Sequence, residues 1–167
     1  MAKVKKIFTN ILRFLALAAT VVAVVFMATS HDSAQVLNLT FTAKYSNTPA
    51  FKYFLIAEAI AGGYIAISIL LSFKSQFWRL LVILDTFTTV LLTSSISAAV
   101  AIAQVGKKGN THAGWLPVCG QVPDFCDQVT IALIAGFVAA ISYFVLLLCS
   151  IYVVLSPIFV KLPLSED

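Results

Sequence analysis

The sequence predicts an all-α protein, a bundle of four transmembrane helices with both termini in the cytoplasm. Of its 167 residues, 60% are hydrophobic and 11% are charged, whereas soluble domains carry about 25% charged residues. Four apolar segments, each long enough to supply the ~20 residues that cross a bilayer as a helix, fill the chain. A single membrane domain is therefore expected over 1–167, without a separate soluble domain.

The four segments are expected at about 7–28, 51–73, 78–105 and 129–156. Each must be helical despite its β-branched residues, because lipid offers no partner for open backbone groups. The first segment follows a basic start but exceeds the ~7–15 apolar residues of a cleaved signal peptide, so we expect a retained signal anchor. The loops 31–49 and 106–128 are expected on the outer side.

The distribution of basic residues sets this orientation. With the N-terminus inside, seven Lys and Arg residues lie on the inner side and four on the outer side, as the positive-inside rule expects. Asn38 begins an N-glycosylation sequon, which is usable only on an outer loop and predicts a glycoprotein. The basic residues are scattered, which argues against nucleic-acid binding and leaves the lipid bilayer as the expected partner.

Three ionisable residues lie inside the apolar segments: Arg13, Glu58 and Asp85. Each costs at least ~2.5–3.5 kcal/mol at mid-depth, so such groups usually face the protein interior. Helices one and three enter from the same side, which places Arg13 and Asp85 both about 10 Å inside. They are expected to form a charge-assisted ion pair that clasps the two helices. A proton or ion relay along the hydroxyl-rich third helix is the alternative.

Glu58 lies on a helix that descends from the outer face, about 10 Å below it, and is not expected to reach Arg13. Three interpretations remain open for this second intramembrane acid. It is protonated, because burial disfavours the charged form. It bonds to polar groups near Ser97 or Gln104, or to a neighbouring subunit. Or it extends toward the outer face.

The second outer loop holds Cys119 and Cys126, for which a disulfide is the main interpretation on the oxidising side of the membrane. Zinc binding with His112 is the weaker alternative. Trp115 is expected to be an outer-loop contact, either an interfacial anchor or a site for a partner. No nucleophile–base set, phosphate-binding loop or metal-ligand cluster is recognisable. We therefore predict no catalytic residue, cofactor or metal, and no enzyme activity.

Small residues recur every four positions on two helices. One such face comprises Ala132, Gly136 and Ala140, and another begins with Ala59 and Gly63. Such faces permit close approach of helices. The approach can occur within the bundle or between copies of the chain.

Taken together, these features resemble the plant Casparian strip membrane domain protein (CASP) family, specifically its CASP-like members, and more distantly the MARVEL tetraspan group. The resemblance covers essentially the whole chain. The positions and runs that carry it are Arg13, Asp85, Trp115, Cys119, Cys126, the run 43–54 (AKYSNTPAFKYF) and the run 57–60 (AEAI).

The resemblance implies a non-catalytic plasma-membrane scaffold that forms homo-oligomers, associates with related family members and recruits enzymes that modify the cell wall, such as peroxidases. It also implies that Arg13 and Asp85 are the family's paired charges. The first outer loop is short and lacks the long aromatic and acidic signature of true Casparian strip members. A role at another membrane domain is therefore expected. A small ion or solute transporter, a channel or its regulatory subunit is the alternative function.

Overall fold

A computed structural model of the chain describes residues 2–36, 39–71 and 78–161. It contains four long helices: α1 (Ala2–Thr29), α2 (Pro49–Leu71), α3 (Trp78–Lys108) and α4 (Pro123–Lys161). Each includes a stretch long and apolar enough to cross a membrane, so the predicted all-α membrane fold is confirmed. The link 72–77 and the sequon residue Asn38 lie outside the described residues.

The helices form a ring in which α1 packs against α2 and α4, and α3 packs against the same two helices. Pairs α1–α3 and α2–α4 therefore face each other across the diagonals. The ends of α1 and α3 meet the starts of α2 and α4 at one side of the bundle, which we call the hairpin end. Two apolar clusters fill the interior, one nearer the hairpin end around Phe54 and one farther from it around Ile65.

The helix boundaries extend beyond the apolar segments because local signals set them. α3 continues to Lys108, and Lys107 and Lys108 lie in its last turn, where positive charge complements the helix dipole. It ends at Gly109, whose φ of 69° is a left-handed conformation that glycine adopts readily. α4 begins at Pro123 rather than near 129, because proline suits the first helical position.

The first interhelical loop contains a β-hairpin that we had not predicted. Strand β1 (His31–Val36) pairs antiparallel with β2 (Leu39–Lys44), in a register that places His31 opposite Lys44. The alternating β-branched Thr40 and Thr42 in β2 are the sequence signal that favours a strand. A 3-10 turn at Tyr45–Asn47 then leads into α2.

Candidate functional site

Arg13 points from α1 into the bundle and is 5% exposed. Its Nη1 donates a hydrogen bond to the Ser68 hydroxyl of α2. Ser68 in turn donates to the backbone carbonyl of Ile65, so its hydroxyl both accepts and donates a hydrogen bond. Arg13 Nε has no hydrogen-bond partner. The guanidinium is therefore held at one edge by α2.

Asp85 points inward from α3 and is 1% exposed. Tyr64 of α2 donates its hydroxyl to Oδ1. Ser150 of α4 donates to Oδ2 at 3.2 Å. Both carboxyl oxygens thus accept a hydrogen bond from a hydroxyl on a different helix.

Arg13 and Asp85 are joined through α2 rather than by direct contact. Among the described residues no ion pair links them, in contrast to the bidentate contact expected from the sequence. Their partners Ser68 and Tyr64 lie one turn apart on α2, so the two charges sit at nearly the same depth. These five residues form the Arg13–Asp85 cluster: Arg13, Tyr64, Ser68, Asp85 and Ser150.

The three hydroxyl residues of this cluster were not identified from the sequence. Tyr64 precedes the end of α2 by as many residues as Asp85 follows the start of α3. Two residues equally distant from a shared end of two antiparallel helices lie at the same depth. These equal distances are a sequence signal that could have identified Tyr64 as a neighbour of Asp85. Ser150 had none, because the length of α4 beyond the membrane could not be fixed.

Glu58 is separated from this cluster and lies on the same helix nearer the hairpin end. Its side chain is 0% exposed, so it does not extend to the surface. Neither carboxyl oxygen has a hydrogen-bond partner, and Ser97 and Gln104 do not reach it. It faces Gly136 of α4, and not the polar groups of α3 that the sequence suggested.

Five hydroxyl side chains of α3 donate to carbonyls of their own helix, whereas Ser94 accepts a hydrogen bond from Tyr53 of α2. Thr89 donates to the carbonyl of Asp85, Thr93 to that of Thr89, and Ser97 to that of Thr93. Such back-bonding satisfies a hydroxyl within one turn and needs no neighbour. These side chains therefore satisfy local backbone acceptors instead of forming a hydrogen-bonded path between helices.

The second interhelical loop is closed by the predicted disulfide between Cys119 and Cys126, whose Cα atoms are 5.7 Å apart. Because α4 starts early, the bond ties the loop to the first turn of that helix. The amides of Val118 and Cys119 also donate to the carbonyl of Gly106. Trp115 forms an isolated β-bridge with Asn110 in this braced loop, and it is 59% exposed.

Metal-ligating side chains are dispersed in the described parts of the chain. Within residues 2–36, 39–71 and 78–161, no three His, Cys, Asp or Glu side chains are grouped to hold a metal ion. Cys149 is a free, half-buried thiol on α4. The main chemical feature of the interior is therefore how it accommodates charge.

Comparison with known proteins places these features in context. A profile for the Casparian strip membrane protein domain matches residues 2–142. CASP-like protein 1C3 of Populus trichocarpa is 88% identical over 98% of this chain and 100% of its own length. CASP-like protein 1C2 of Ricinus communis is 73% identical over 96% of this chain and 98% of its own length. CASP-like protein 1C1 of Arabidopsis thaliana is 51% identical over 92% and 93%. No solved structure matches the chain.

Proposed function

Because the chain belongs to the Casparian strip membrane protein family, we propose that it is a non-catalytic plasma-membrane scaffold. In this proposal both termini face the cytoplasm, copies of the chain self-associate laterally, and the resulting array organises a membrane domain. The hairpin and the disulfide loop then face the cell wall, where wall-modifying enzymes are the partners that the family suggests. Glycosylation at Asn38 remains a prediction.

The observation that carries the proposal is the contrast between the two small-residue faces. On α4, Ala132 and Gly136 are buried inside the bundle. On α2, Ala59 and Gly63 face outward, and a Cβ built on Gly63 meets nothing within 4 Å. Small residues on a lipid-facing helix allow another helix to approach closely. The α2 face is thus free for association with another copy.

A complementary surface lies between α3 and α4. It is an open groove of about 230 Å³ whose walls include Thr93 on one side and Phe137 and Phe144 on the other. Thr93 lies about 22 Å from the hairpin end of α3, and Gly63 about 21 Å from that end of α2. Neighbours in one bilayer share the same depth, so the α2 face of one copy can meet the groove of the next.

A contact between two different surfaces does not close on itself unless its rotation forms a ring, so it generates rows of subunits. Rows of this kind suit a scaffold that covers an extended area of membrane. The clasp formed by the Arg13–Asp85 cluster would keep each subunit rigid within the row. Trp115 is assigned as the interfacial anchor of the braced loop.

The test compares Gly63→Leu with Ala18→Leu, a matched enlargement at an exposed position of α1. Self-association is measured by energy transfer between labelled copies in liposomes, at several protein-to-lipid ratios. We expect Gly63→Leu to weaken association at least tenfold and Ala18→Leu to leave it unchanged. Equal association of wild type and Gly63→Leu would show that the α2 face is not the site of self-association. A wild-type protein that diffuses as monomers at native expression would overturn the scaffold.

A transporter, a channel or its regulatory subunit is the second candidate, and the two buried acids, Asp85 and Glu58, are the observation that favours it. Ion or solute flux into proteoliposomes distinguishes the candidates. Flux that disappears in a folded Asp85→Asn variant would establish transport. Flux equal to that of empty liposomes supports the scaffold.

A further inference from the structure

Glu58 lies in the middle of the bundle between the two apolar clusters. Phe54, one turn before it, belongs to the cluster nearer the hairpin end, and Ala61, just after it, belongs to the other. At 1.5 Å per residue it is about 14 Å from the start of α2. That distance places it near the centre of a hydrocarbon core about 30 Å thick.

The carboxyl group is enclosed where the diagonal helices α2 and α4 meet. A Cβ on Gly136 would lie 2.9 Å from Glu58 Oε1 and 2.8 Å from the ring of Phe54. A methyl group does not fit there, so α4 approaches the carboxyl group with the bare backbone of Gly136. The carboxyl group therefore contacts backbone and hydrocarbon.

Neither oxygen of the Glu58 carboxyl group has a hydrogen-bond partner among the described residues. From α4, Tyr143 is fully buried, and its hydroxyl donates to the carbonyl of Ala61. From α1, Thr20 approaches at Gly62 and donates to the carbonyl of Leu17. Residues 92–103 of α3, which cross at this depth, contain no titratable side chain. Within the described ranges, therefore, no hydrogen-bond donor meets a negative charge on Glu58.

We propose that Glu58 is a proton-binding site, and that the neutral acid is the form around which α2 and α4 close at Gly136. A proton from water joins one carboxylate oxygen, and the side-chain charge changes from −1 to zero. Burying one O–H group is far less unfavourable than burying an unpaired carboxylate. Loss of the proton restores the charge, and the two helices must then separate to admit water. Protonation of Glu58 thus stabilises the packing of α2 against α4, and this proposal does not depend on the scaffold role.

The sequence makes this site directly observable. The chain contains two glutamates, Glu58 and Glu166, so ¹³C labelling of glutamate side-chain carboxyl carbons gives two NMR signals in nanodiscs. The variants Glu58→Gln and Glu166→Gln assign them. We expect the Glu58 carbon to show the chemical shift of a neutral acid at pH 7, and to move only in alkaline buffer. A carboxylate shift for Glu58 at pH 7 overturns the proposal, even if Glu58→Gln fails to fold, since Glu166→Gln alone assigns the signals.

Infrared spectra provide a second measurement of the same protonation state. At pH 7 the carbonyl stretch of a protonated carboxyl group should be present, shift on ¹³C-glutamate labelling and disappear in Glu58→Gln. It should persist in Glu166→Gln and in Asp85→Asn. A band that does not shift on glutamate labelling would assign the buried proton to an aspartate and refute the site.

The coupling between protonation of Glu58 and helix packing is tested by unfolding the protein at increasing pH. Stability from the bound proton is fully present at low pH and is lost as the pH rises through the titration of Glu58. The unfolding midpoint of wild type should therefore fall relative to that of Glu58→Gln over the pH range in which the NMR signal moves, while Glu166→Gln follows wild type. Parallel curves for wild type and Glu58→Gln at every pH would refute the coupling to helix packing.

Discussion

The Arg13–Asp85 cluster and the Glu58 site lie at different depths of the same bundle and accommodate buried ionisable groups differently. In the cluster, Arg13 and Asp85 are each bound by hydroxyl groups from α2 or α4. At Glu58, both carboxyl oxygens lack a hydrogen-bond partner, and Gly136 of α4 packs directly against Oε1. The first region surrounds its two ionisable groups with hydroxyl groups, whereas the second, as we propose, binds a proton on its single acid.

The comparison shows that depth alone does not decide how an acid is accommodated. Asp85 and Glu58 are both almost completely buried. What differs is the set of donors that neighbouring helices present at each level. Donors and a cation stabilise an ionised acid, and their absence favours the neutral form. Variants that remove or add one of these neighbours can therefore distinguish the two regions.

The largest effect is expected from breaking the charge balance of the Arg13–Asp85 cluster. Arg13→Leu or Asp85→Leu should each lower the free energy of unfolding by about 3–5 kcal/mol, because the remaining charge stays buried without its counterpart. Titration with sodium dodecyl sulphate in mixed micelles measures this loss. The double variant should recover much of it, and additive losses would show that the two charges do not interact.

Removing one donor to Asp85 should cost less. Tyr64→Phe deletes the hydroxyl that bonds to Oδ1, and a hydrogen bond to a charged group contributes about 1.5–3 kcal/mol. Tyr53→Phe is the matched control, because its hydroxyl meets Ser94 at 3.3 Å on the exposed side of the bundle. Equal losses of unfolding free energy for the two variants in the same titration would contradict a stabilising bond between Tyr64 and Asp85.

A pair of glycine substitutions tests how closely α4 packs against Glu58. Gly136→Ala should destabilise the bundle by about 1–3 kcal/mol, because the added methyl overlaps Phe54 and the carboxyl of Glu58. Gly63→Ala, in open space on α2, should be neutral or slightly stabilising, since alanine is the better helix former. Unfolding midpoints of the two proteins give the answer, and a neutral Gly136→Ala would contradict the close approach.

The smallest effect is expected at the acid itself. Glu58→Gln should change the free energy of unfolding at pH 7 by about 1 kcal/mol or less, because one neutral group replaces another of the same shape. Asp85→Asn should be clearly more destabilising, because it leaves the charge of Arg13 uncompensated. Similar losses for the two amide variants would mean that both acids are accommodated in the same way.

Much of the fold followed from the sequence. Four apolar segments in lipid leave the helix as the available structure, and the cysteines in one loop indicated the disulfide that the structure contains. The hairpin His31–Val36 with Leu39–Lys44 was missed, because two short polar strands give a weak pattern beside long apolar helices. The start of α4 at Pro123 was placed too late, since hydropathy marks the lipid-facing length and not the helix cap.

The sequence by itself determined which residues are difficult to bury and roughly how deep each one lies, because composition and a fixed rise per residue set both. Only the tertiary structure decided their neighbours: Ser68 and Tyr64 between Arg13 and Asp85, and Gly136 against Glu58. The physical reason is rotational. A helix can turn about its axis without changing the depth of any residue, and the packing of the four helices fixes that turn.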